Sequence, residues 1–168
     1  RYSVAIGQGA LENQNFTGSN NVYNTAVGFD AGNDITSGVQ NTLIGGLAGD
    51  ALTTGVSNIA LGYAALSSAQ TSNYNTAIGE SALHLNINSN RNTALGFQAL
   101  YSHTTGSATD SYNTAIGYVA GASITSGTEN TLVGGLAGDA ITTGHSSTAL
   151  GYAALSTEDT SSHNTAIG

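Results

Sequence analysis

A glycine recurs along this chain at nearly constant spacing, and this periodicity limits the possible folds more than any other feature. Each such glycine closes a copy or close variant of Asn-Thr-Ala-Ile-Gly, and successive copies lie 17 residues apart except for two intervals of 21. The motif glycines are Gly7, Gly28, Gly45, Gly62, Gly79, Gly96, Gly117, Gly134, Gly151 and Gly168. Self-similarity at a fixed period is the signature of stacked repeat architectures.

A longer repeat is superimposed on the short one. Residues 24–79 match residues 113–168 at 39 of 56 positions when shifted by 89, which gives super-repeat units 7–96 and 79–168. We interpret 1–168 as a single repeat array. The chain has no Met and opens inside the motif pattern, so we expect it to be a fragment of a longer fibrous protein.

The length of the repeat favours strands over helices. Seventeen residues are too few for a helix-turn-helix unit, and the recurrent Gly, Asn and Thr are poor helix formers. These residues suit short strands joined by tight turns, in which Gly and Asn adopt positive φ. We predict an all-β fold, a parallel β-solenoid of about ten 17-residue coils with two 21-residue coils, stacked about 4.8 Å apart.

Small residues dominate the composition, which without the repeat would indicate disorder. Ala, Gly, Thr, Ser and Asn supply 105 of the 168 residues, whereas Ile, Leu, Val and Phe supply 34. So few large apolar residues are typical of chains that cannot bury a core. In a solenoid, however, neighbouring coils cover each other, so each coil needs only two or three large apolar side chains.

Two adjacent motif positions are both apolar. The residue before each motif glycine forms an aliphatic column, which we predict to be the core of the coil: Ile6, Val27, Ile44, Leu61, Ile78, Leu95, Ile116, Val133, Leu150 and Ile167. The residue before that is Ala, except for Leu43 and Leu132. Because a strand with one face in water alternates apolar and polar residues, we expect the alanine side to pack against another surface. Small side chains there would let backbones approach closely, as at a symmetry axis, so we expect the chain to associate with copies of itself.

The two exceptions in the alanine column indicate a local exchange of volume. Leu43 and Leu132 occur where the residue after the motif glycine is Gly46 or Gly135, a position that holds Phe or Tyr in five other coils. Since a close-packed core conserves its volume, we expect each leucine to compensate for the missing aromatic ring.

Charge and composition exclude several functions. The net charge is −8 with two basic residues, so the chain cannot neutralise a nucleic-acid backbone, and it has no Cys for a disulfide or thiolate site. No apolar run approaches the roughly 18 residues of a membrane span, so we expect no direct membrane insertion of this segment. No residues form a recognisable catalytic constellation or metal-ligand spacing, and we predict no enzyme activity, no metal and no cofactor.

The two 21-residue coils are the predicted recognition loops. Each adds four residues in the same arc, within 12–23 and 101–112, and insertions in solenoids tend to mark the decorated face. Aromatic rings among polar groups suit glycan or protein contact. The predicted contact residues are Phe16, Tyr23, Tyr101, His103 and Tyr112. The alternative is that these loops are spacers that adjust the superhelix.

Threonine and asparagine also form columns. Thr25, Thr42, Thr76, Thr93, Thr114, Thr131, Thr148 and Thr165 lie three residues before a motif glycine. A flat threonine array is how several β-solenoids bind ice. Because Val4 and Ile59 share this position, we instead expect it to face inward and serve packing. The preceding asparagines predict a stacked hydrogen-bond ladder at a corner.

These residues resemble a known class of repeats. Ser3-Val4-Ala5-Ile6-Gly7, the serial Asn-Thr-Ala-Ile-Gly copies and the downstream Ala are similar to the head repeats of trimeric autotransporter adhesins and to the shafts of phage tail fibres. The resemblance implies a left-handed β-roll of three chains around one axis, exposed on a cell surface or virion. The 17-residue coil departs from the adhesin heads, whose repeat is shorter.

The functional expectation follows from this resemblance. We predict a structural segment of an extracellular fibre or adhesin that contributes to attachment to a cell surface or host, with a surface glycan or protein as partner. An ice-binding solenoid is one alternative. The other is the shaft of a phage tail fibre or spike whose receptor-binding or depolymerase activity lies elsewhere in the chain.

Overall fold

The structure is a computed structural model that describes residues 2–15, 21–157 and 159–168. It is all-β, and no helix occurs in these ranges. Ten three-residue strands correspond to the ten motif copies, and two additional two-residue strands lie elsewhere in the coils. The strands are β1 (Val4–Ile6), β2 (Thr25–Val27), β3 (Thr42–Ile44), β4 (Ile59–Leu61), β5 (Thr76–Ile78), β6 (Ser89–Asn90), β7 (Thr93–Leu95), β8 (Thr109–Asp110), β9 (Thr114–Ile116), β10 (Thr131–Val133), β11 (Thr148–Leu150) and β12 (Thr165–Ile167).

The motif strands stack in one parallel sheet. Its order is β1-β2-β3-β4-β5-β7-β9-β10-β11-β12, while β6 and β8 form a separate parallel pair. Equivalent motif positions pair throughout, as in Thr25↔Thr42 and Val27↔Ile44. The predicted parallel β-solenoid is therefore confirmed, with ten motif strands and nine coils between them.

The longer coil between Gly96 and Gly117 leaves this register intact. Strand β7 pairs with β9 at the same motif positions as every other neighbouring pair, with Leu95 opposite Ile116. The additional residues precede strand β9, in the arc where β8 pairs with β6. The insertion therefore changes the outline of one coil and not the main sheet.

The side of each strand that faces the core is the opposite of our expectation. From Ala26 to Ala149 the alanine column is fully buried, and Leu43 and Leu132 within it are buried as well. At the two ends of the stack, Ala5 is exposed and Ala166 is half-buried. The predicted core column points away from the coil: Ile6, Ile44, Leu61, Leu95, Ile116, Leu150 and Ile167 are exposed, and Val27, Ile78 and Val133 are half-buried. The prediction that the aliphatic column fills the core is wrong, because the interior is narrow enough that alanine fits at this wall.

The remaining walls of the interior explain this narrowness. A second alanine column, three residues after the motif glycine, faces the same interior, and larger side chains fill the space beside it. The larger side chains are Leu11, Ile35, Leu52, Leu66, Leu83, Leu100, Ile124 and Ile141. A methyl group opposite these residues completes a close-packed layer, and a larger side chain would overfill it.

Leu43 and Leu132 compensate for glycines inside the core and not for a missing surface ring. A Cβ atom built on Gly32 or Gly49 would lie 2.7 or 2.9 Å from a methyl group of Leu43. Leu132 occupies the equivalent space beside Gly121 and Gly138. Other coils carry leucine at this glycine position and alanine in place of Leu43. Our prediction that each leucine compensates for the aromatic ring missing at Gly46 or Gly135 is therefore wrong, since the leucines fill space left by glycines across the interior.

Asparagines form the predicted hydrogen-bond ladder at a buried corner. The Asn41 backbone N–H and side-chain amide both donate to Oδ1 of Asn24, at 2.9 and 3.2 Å. The amide of Asn41 also donates to the carbonyl of Gly55 at 2.8 Å, which ties the corner to the segment that leads into the corner of the next coil. The pattern repeats from coil to coil, so these amides satisfy buried backbone groups that would otherwise lack partners.

The motif glycine is required by the stacking of coils. At Gly28 the backbone has φ +142°, and a Cβ atom there would overlap the carbonyl oxygen of Gly45 in the next coil. Both the positive φ and the close approach exclude a side chain. A glycine at this position therefore lets each coil turn out of the sheet directly against its neighbour.

Candidate functional site

The outer face of the ten-stranded sheet carries a long row of exposed aliphatic side chains. It consists of the threonine column and the aliphatic column, which lie two residues apart on the same side of each strand. Ile59 is 44% exposed and Leu150 47%, although both are aliphatic side chains on strands that are paired on both sides. Val4, on the edge strand β1, is 48% exposed. Soluble monomers rarely expose a continuous apolar surface of this length.

Two columns of larger side chains occupy the corners of this face. The post-glycine column follows the strand and consists of Gln8, Phe29, Gly46, Tyr63, Glu80, Phe97, Tyr118, Gly135 and Tyr152. The pre-asparagine column precedes the strand and consists of Tyr2, Tyr23, Gln40, Ser57, Tyr74, Arg91, Tyr112, Glu129, Ser146 and His163. Most of the aromatic rings in both columns are more than half exposed.

Each column contains one pair of stacked rings from neighbouring coils. Phe97 and Tyr118 are stacked with ring centroids 5.4 Å apart, and Tyr2 and Tyr23 with centroids 5.7 Å apart. Offset stacking at this separation is favourable for aromatic pairs. Each stack holds its two rings against each other, and the exposed rings of both columns extend the apolar surface of the outer face.

The dimensions of the face are those of a protein–protein interface. Ten strands at about 4.8 Å spacing give a length of about 43 Å, and six residues of nearly extended chain between the corner columns give a width of about 20 Å. The resulting area is roughly 800–900 Å². Stable interfaces bury about 800 Å² on each partner.

One corner carries the only basic side chain in the described ranges. Arg91 lies over the rings of Tyr74 and Tyr112, with its guanidinium carbon 4.8 and 5.9 Å from the two centroids. Its Nε donates a 2.9 Å hydrogen bond to the Asp110 carboxylate. This hydrogen bond lowers the pKa of Asp110 and raises the pKa of Arg91. Both side chains are 43% exposed, so the pair is screened by solvent.

The predicted recognition residues do not form one site. Tyr23 and Tyr112 belong to the pre-asparagine column beside the outer face, and both are exposed. Tyr101 is half-buried on another side of the coil, where its ring stacks on His84 at 5.1 Å. Phe16 lies outside the described residues. The predicted loop therefore contributes corner rings of a longer column and not a separate aromatic cluster.

His103 contradicts our prediction most clearly, because it is fully buried. It occupies the interior position that holds Ile124 and Ile141 in the following coils. The Asn113 amide lies 3.4 Å from Nε2, while Nδ1 has no hydrogen-bond partner among the described residues. Burial lowers its pKa to about 4, so the imidazole is neutral at pH 7. A side chain enclosed in this way cannot contact a receptor.

The threonine column also differs from our expectation. We predicted that it faces inward, but its members are half-buried or exposed and lie on the outer face beside the aliphatic column. Because Val4 and Ile59 share this outward position, their apolar character does not indicate burial. The face thus presents a flat array of hydroxyl and methyl groups repeated at the strand spacing.

The described ranges show no cavity, no cluster of three or more His, Asp or Glu side chains able to hold a metal ion, and no helix that could cross a membrane. A scan against protein-family models finds no match, and searches of curated proteins and of solved structures find none either.

Sequence reasoning missed the pre-asparagine column as a unit. Tyr23, Tyr74 and Tyr112 share positive φ near +55°, as do Gln40 and Arg91. The signal was available, since each of these residues directly precedes a motif asparagine. Its significance was hidden because Arg91, Glu129 and two serines interrupt the aromatic pattern.

Proposed function

We propose that this chain is a structural segment of an extracellular fibre or cell-surface adhesin, and that it assembles with two further copies through its outer face. The observation that carries the proposal is the exposed aliphatic column with its aromatic corners. Burial of that column is worth about 25 cal/mol for each Å² of apolar surface removed from water. The number three rests on the resemblance to trimeric fibre repeats.

The role proposed for the assembly is that of a spacer that presents a binding region. The stacked coils form a long and narrow structure. Parallel strand pairing and the internal asparagine ladder give it continuous hydrogen bonding along its length. Such a segment holds a binding region at a distance from the surface that anchors it, and its repeated flank contributes contacts to a glycan or protein. This role fits a bacterial adhesin and a phage tail fibre alike.

Sedimentation equilibrium of the 168-residue chain tests the assembly. We expect a mass three times that of one chain, and a monodisperse monomer at micromolar concentration would overturn the proposal. The attachment role is tested by coupling the trimer to inert beads and counting beads bound to target cells. Equal binding by beads that carry an unrelated acidic protein would overturn that role.

Ice binding is the second candidate, and the outward threonine column favours it. Hydroxyl and methyl groups at the repeat spacing form a regular, flat array that faces solvent in a single chain. Trimerisation would bury the same face, so the two functions exclude each other on one molecule. Thermal hysteresis at micromolar protein together with a monomeric mass would favour ice binding, and a trimer without hysteresis would exclude it.

A further inference from the structure

Two histidines on adjacent coils lie side by side at the surface. His145 and His163 are 18 residues apart in the sequence, which is one 17-residue coil plus one residue. Their rings are in edge-to-face contact, with centroids 5.1 Å apart and an angle of 79° between the planes. Both side chains are exposed. The fold therefore presents two imidazoles to solvent at a single point.

Backbone hydrogen bonds hold the two residues together. The His163 N–H donates to the carbonyl of His145 at 2.9 Å, and the His145 N–H donates to Oγ of Ser162 at 3.1 Å. Neither imidazole makes a hydrogen bond to a described residue, so the ring nitrogens remain available to a ligand. The terminal torsion of a histidine side chain is soft, which lets each ring turn a nitrogen toward its neighbour.

The distance between the rings is that of two ligands on one metal ion. With metal–nitrogen bonds of about 2.0–2.1 Å and a tetrahedral angle between them, two imidazole centres lie about 5 Å apart. The observed separation of 5.1 Å agrees with this value. Two imidazoles on a fixed backbone can therefore bind the same ion without a rearrangement of the coils.

We propose that His145 and His163 together chelate one divalent transition metal ion, whose remaining coordination positions are left to water. Imidazole nitrogen suits Zn²⁺, Ni²⁺ and Cu²⁺, whereas Ca²⁺ and Mg²⁺ prefer oxygen ligands. Because the two ligands come from adjacent coils, the bound ion joins one coil to the next. The site is separate from the proposed self-association.

The charges of the surroundings favour a cation. The chain has a net charge of −8. Ser146, which precedes His163 by one coil in the pre-asparagine column, donates a 3.0 Å hydrogen bond to the carboxylate of Glu129. Arg91 is the basic side chain of the described ranges and lies four strands away in the sheet order, about 19 Å at the strand spacing. Electrostatic attraction therefore raises the local concentration of a divalent cation.

We predicted no metal from the sequence, because an interval of 18 residues is not typical of a ligand pair. The first super-repeat supplies the same backbone without imidazoles. Val56 and Tyr74 lie 89 residues before His145 and His163, and the Tyr74 N–H donates to the Val56 carbonyl at 3.0 Å. Tyr74 and His163 also share a positive φ, at +59° and +61°. The two places therefore differ in their side chains and not in their backbone.

Isothermal titration calorimetry with Zn²⁺ at neutral pH tests the chelate. The wild-type chain should bind one ion, and His145→Ala and His163→Ala should each weaken binding on the order of tenfold or more, since each removes one of two linked ligands. His84→Ala removes a histidine that stacks on Tyr101 and serves as the control, with unchanged affinity. Mg²⁺ should give no saturable binding.

Transfer of the pair to the first super-repeat tests whether the coil geometry is sufficient. The Val56→His/Tyr74→His chain should bind a second Zn²⁺, while circular dichroism verifies that its strands are retained. Zn²⁺ should also raise the midpoint of thermal unfolding of the wild type, because it binds the folded stack, and should have a smaller effect on His163→Ala.

The outcomes decide the proposal. Loss of affinity in both alanine variants, together with a second ion in the transferred pair, supports it. A wild-type chain without saturable Zn²⁺ binding overturns it, as does binding that survives the loss of either histidine. A folded Val56→His/Tyr74→His chain that binds no second ion would also overturn it. Sedimentation equilibrium tests the self-association independently of these results.

Discussion

The two apolar sides of each motif strand differ by a single residue in sequence and have opposite environments. Ala94 is fully enclosed, while the next residue, Leu95, is 44% exposed. The smaller side chain lies inside because the coil interior is already filled by leucine, isoleucine and asparagine from the other walls. The larger one lies outside, where only another molecule can cover it. The comparison teaches that the core of this solenoid stabilises one chain, whereas its outer face is available for association.

Matched aspartate substitutions on the two sides test this difference most strongly. Ala94→Asp should lower the free energy of unfolding by about 4 kcal/mol or more, because it buries a carboxylate without a partner. Leu95→Asp should keep the strand spectrum of the folded chain and abolish association. Circular dichroism and sedimentation equilibrium measure the two effects. If both variants unfolded to the same extent, the assignment of inner and outer columns would be contradicted.

Removing the Leu43 side chain from the interior should give the next largest change in the free energy of unfolding. Leu43→Ala should cost about 2–5 kcal/mol, because it leaves a cavity beside Gly32 and Gly49. Adding Gly32→Ala and Gly49→Ala should recover part of the loss, because the two methyl groups enter the cavity and Ala64 already adopts a similar positive φ in this chain. Denaturant unfolding measures each step. Leu43→Ala/Gly46→Tyr is the control, and recovery in that variant would instead favour compensation at the surface.

The buried imidazole of His103 should make the free energy of unfolding depend on pH. The size of this change should be similar to or smaller than the cost of Leu43→Ala. Because burial lowers the pKa of His103 to about 4, the unfolded state takes up a proton at about pH 6.5 while the folded state does not. Stability should therefore fall between about pH 6.5 and pH 4, by about 3 kcal/mol at most, and stay level below that range for this group. His103→Ile, which copies Ile124, should remove this contribution.

The check is the difference in unfolding free energy between wild type and His103→Ile across that pH range. A difference that grows as the pH falls supports an enclosed, neutral imidazole. A difference that is independent of pH would show that His103 reaches solvent and would weaken the distinction between inside and outside.

The strand positions and their register could be predicted from the sequence because the repeat is long, regular and nearly free of insertions. Equivalent residues must stack, so the spacing of the motif glycines alone places Thr25 beside Thr42 and Leu95 beside Ile116. The asparagine ladder was predictable for the same reason. An amide that recurs at one position in a stack has its equivalent as the nearest polar partner.

The candidate site was predicted less well. Aromatic rings near the 21-residue coils suggested recognition loops, but Tyr23 and Tyr112 continue a corner column that also includes Tyr74 and Arg91. Within the same insertion, His103 turns into the core, because the interior position of that coil needs a large side chain. Composition marks a loop as polar or aromatic, and it does not say which of its side chains the turn directs inward.

The sequence by itself determined the period, the strands, the parallel stacking and the positions that need glycine. Only the tertiary structure decided which apolar column is inside. The physical reason is that alternation along a three-residue strand identifies two sides but not their environments when both are apolar. The width left between the other walls of the coil selects alanine for the interior, and that width exists only once the whole coil has closed.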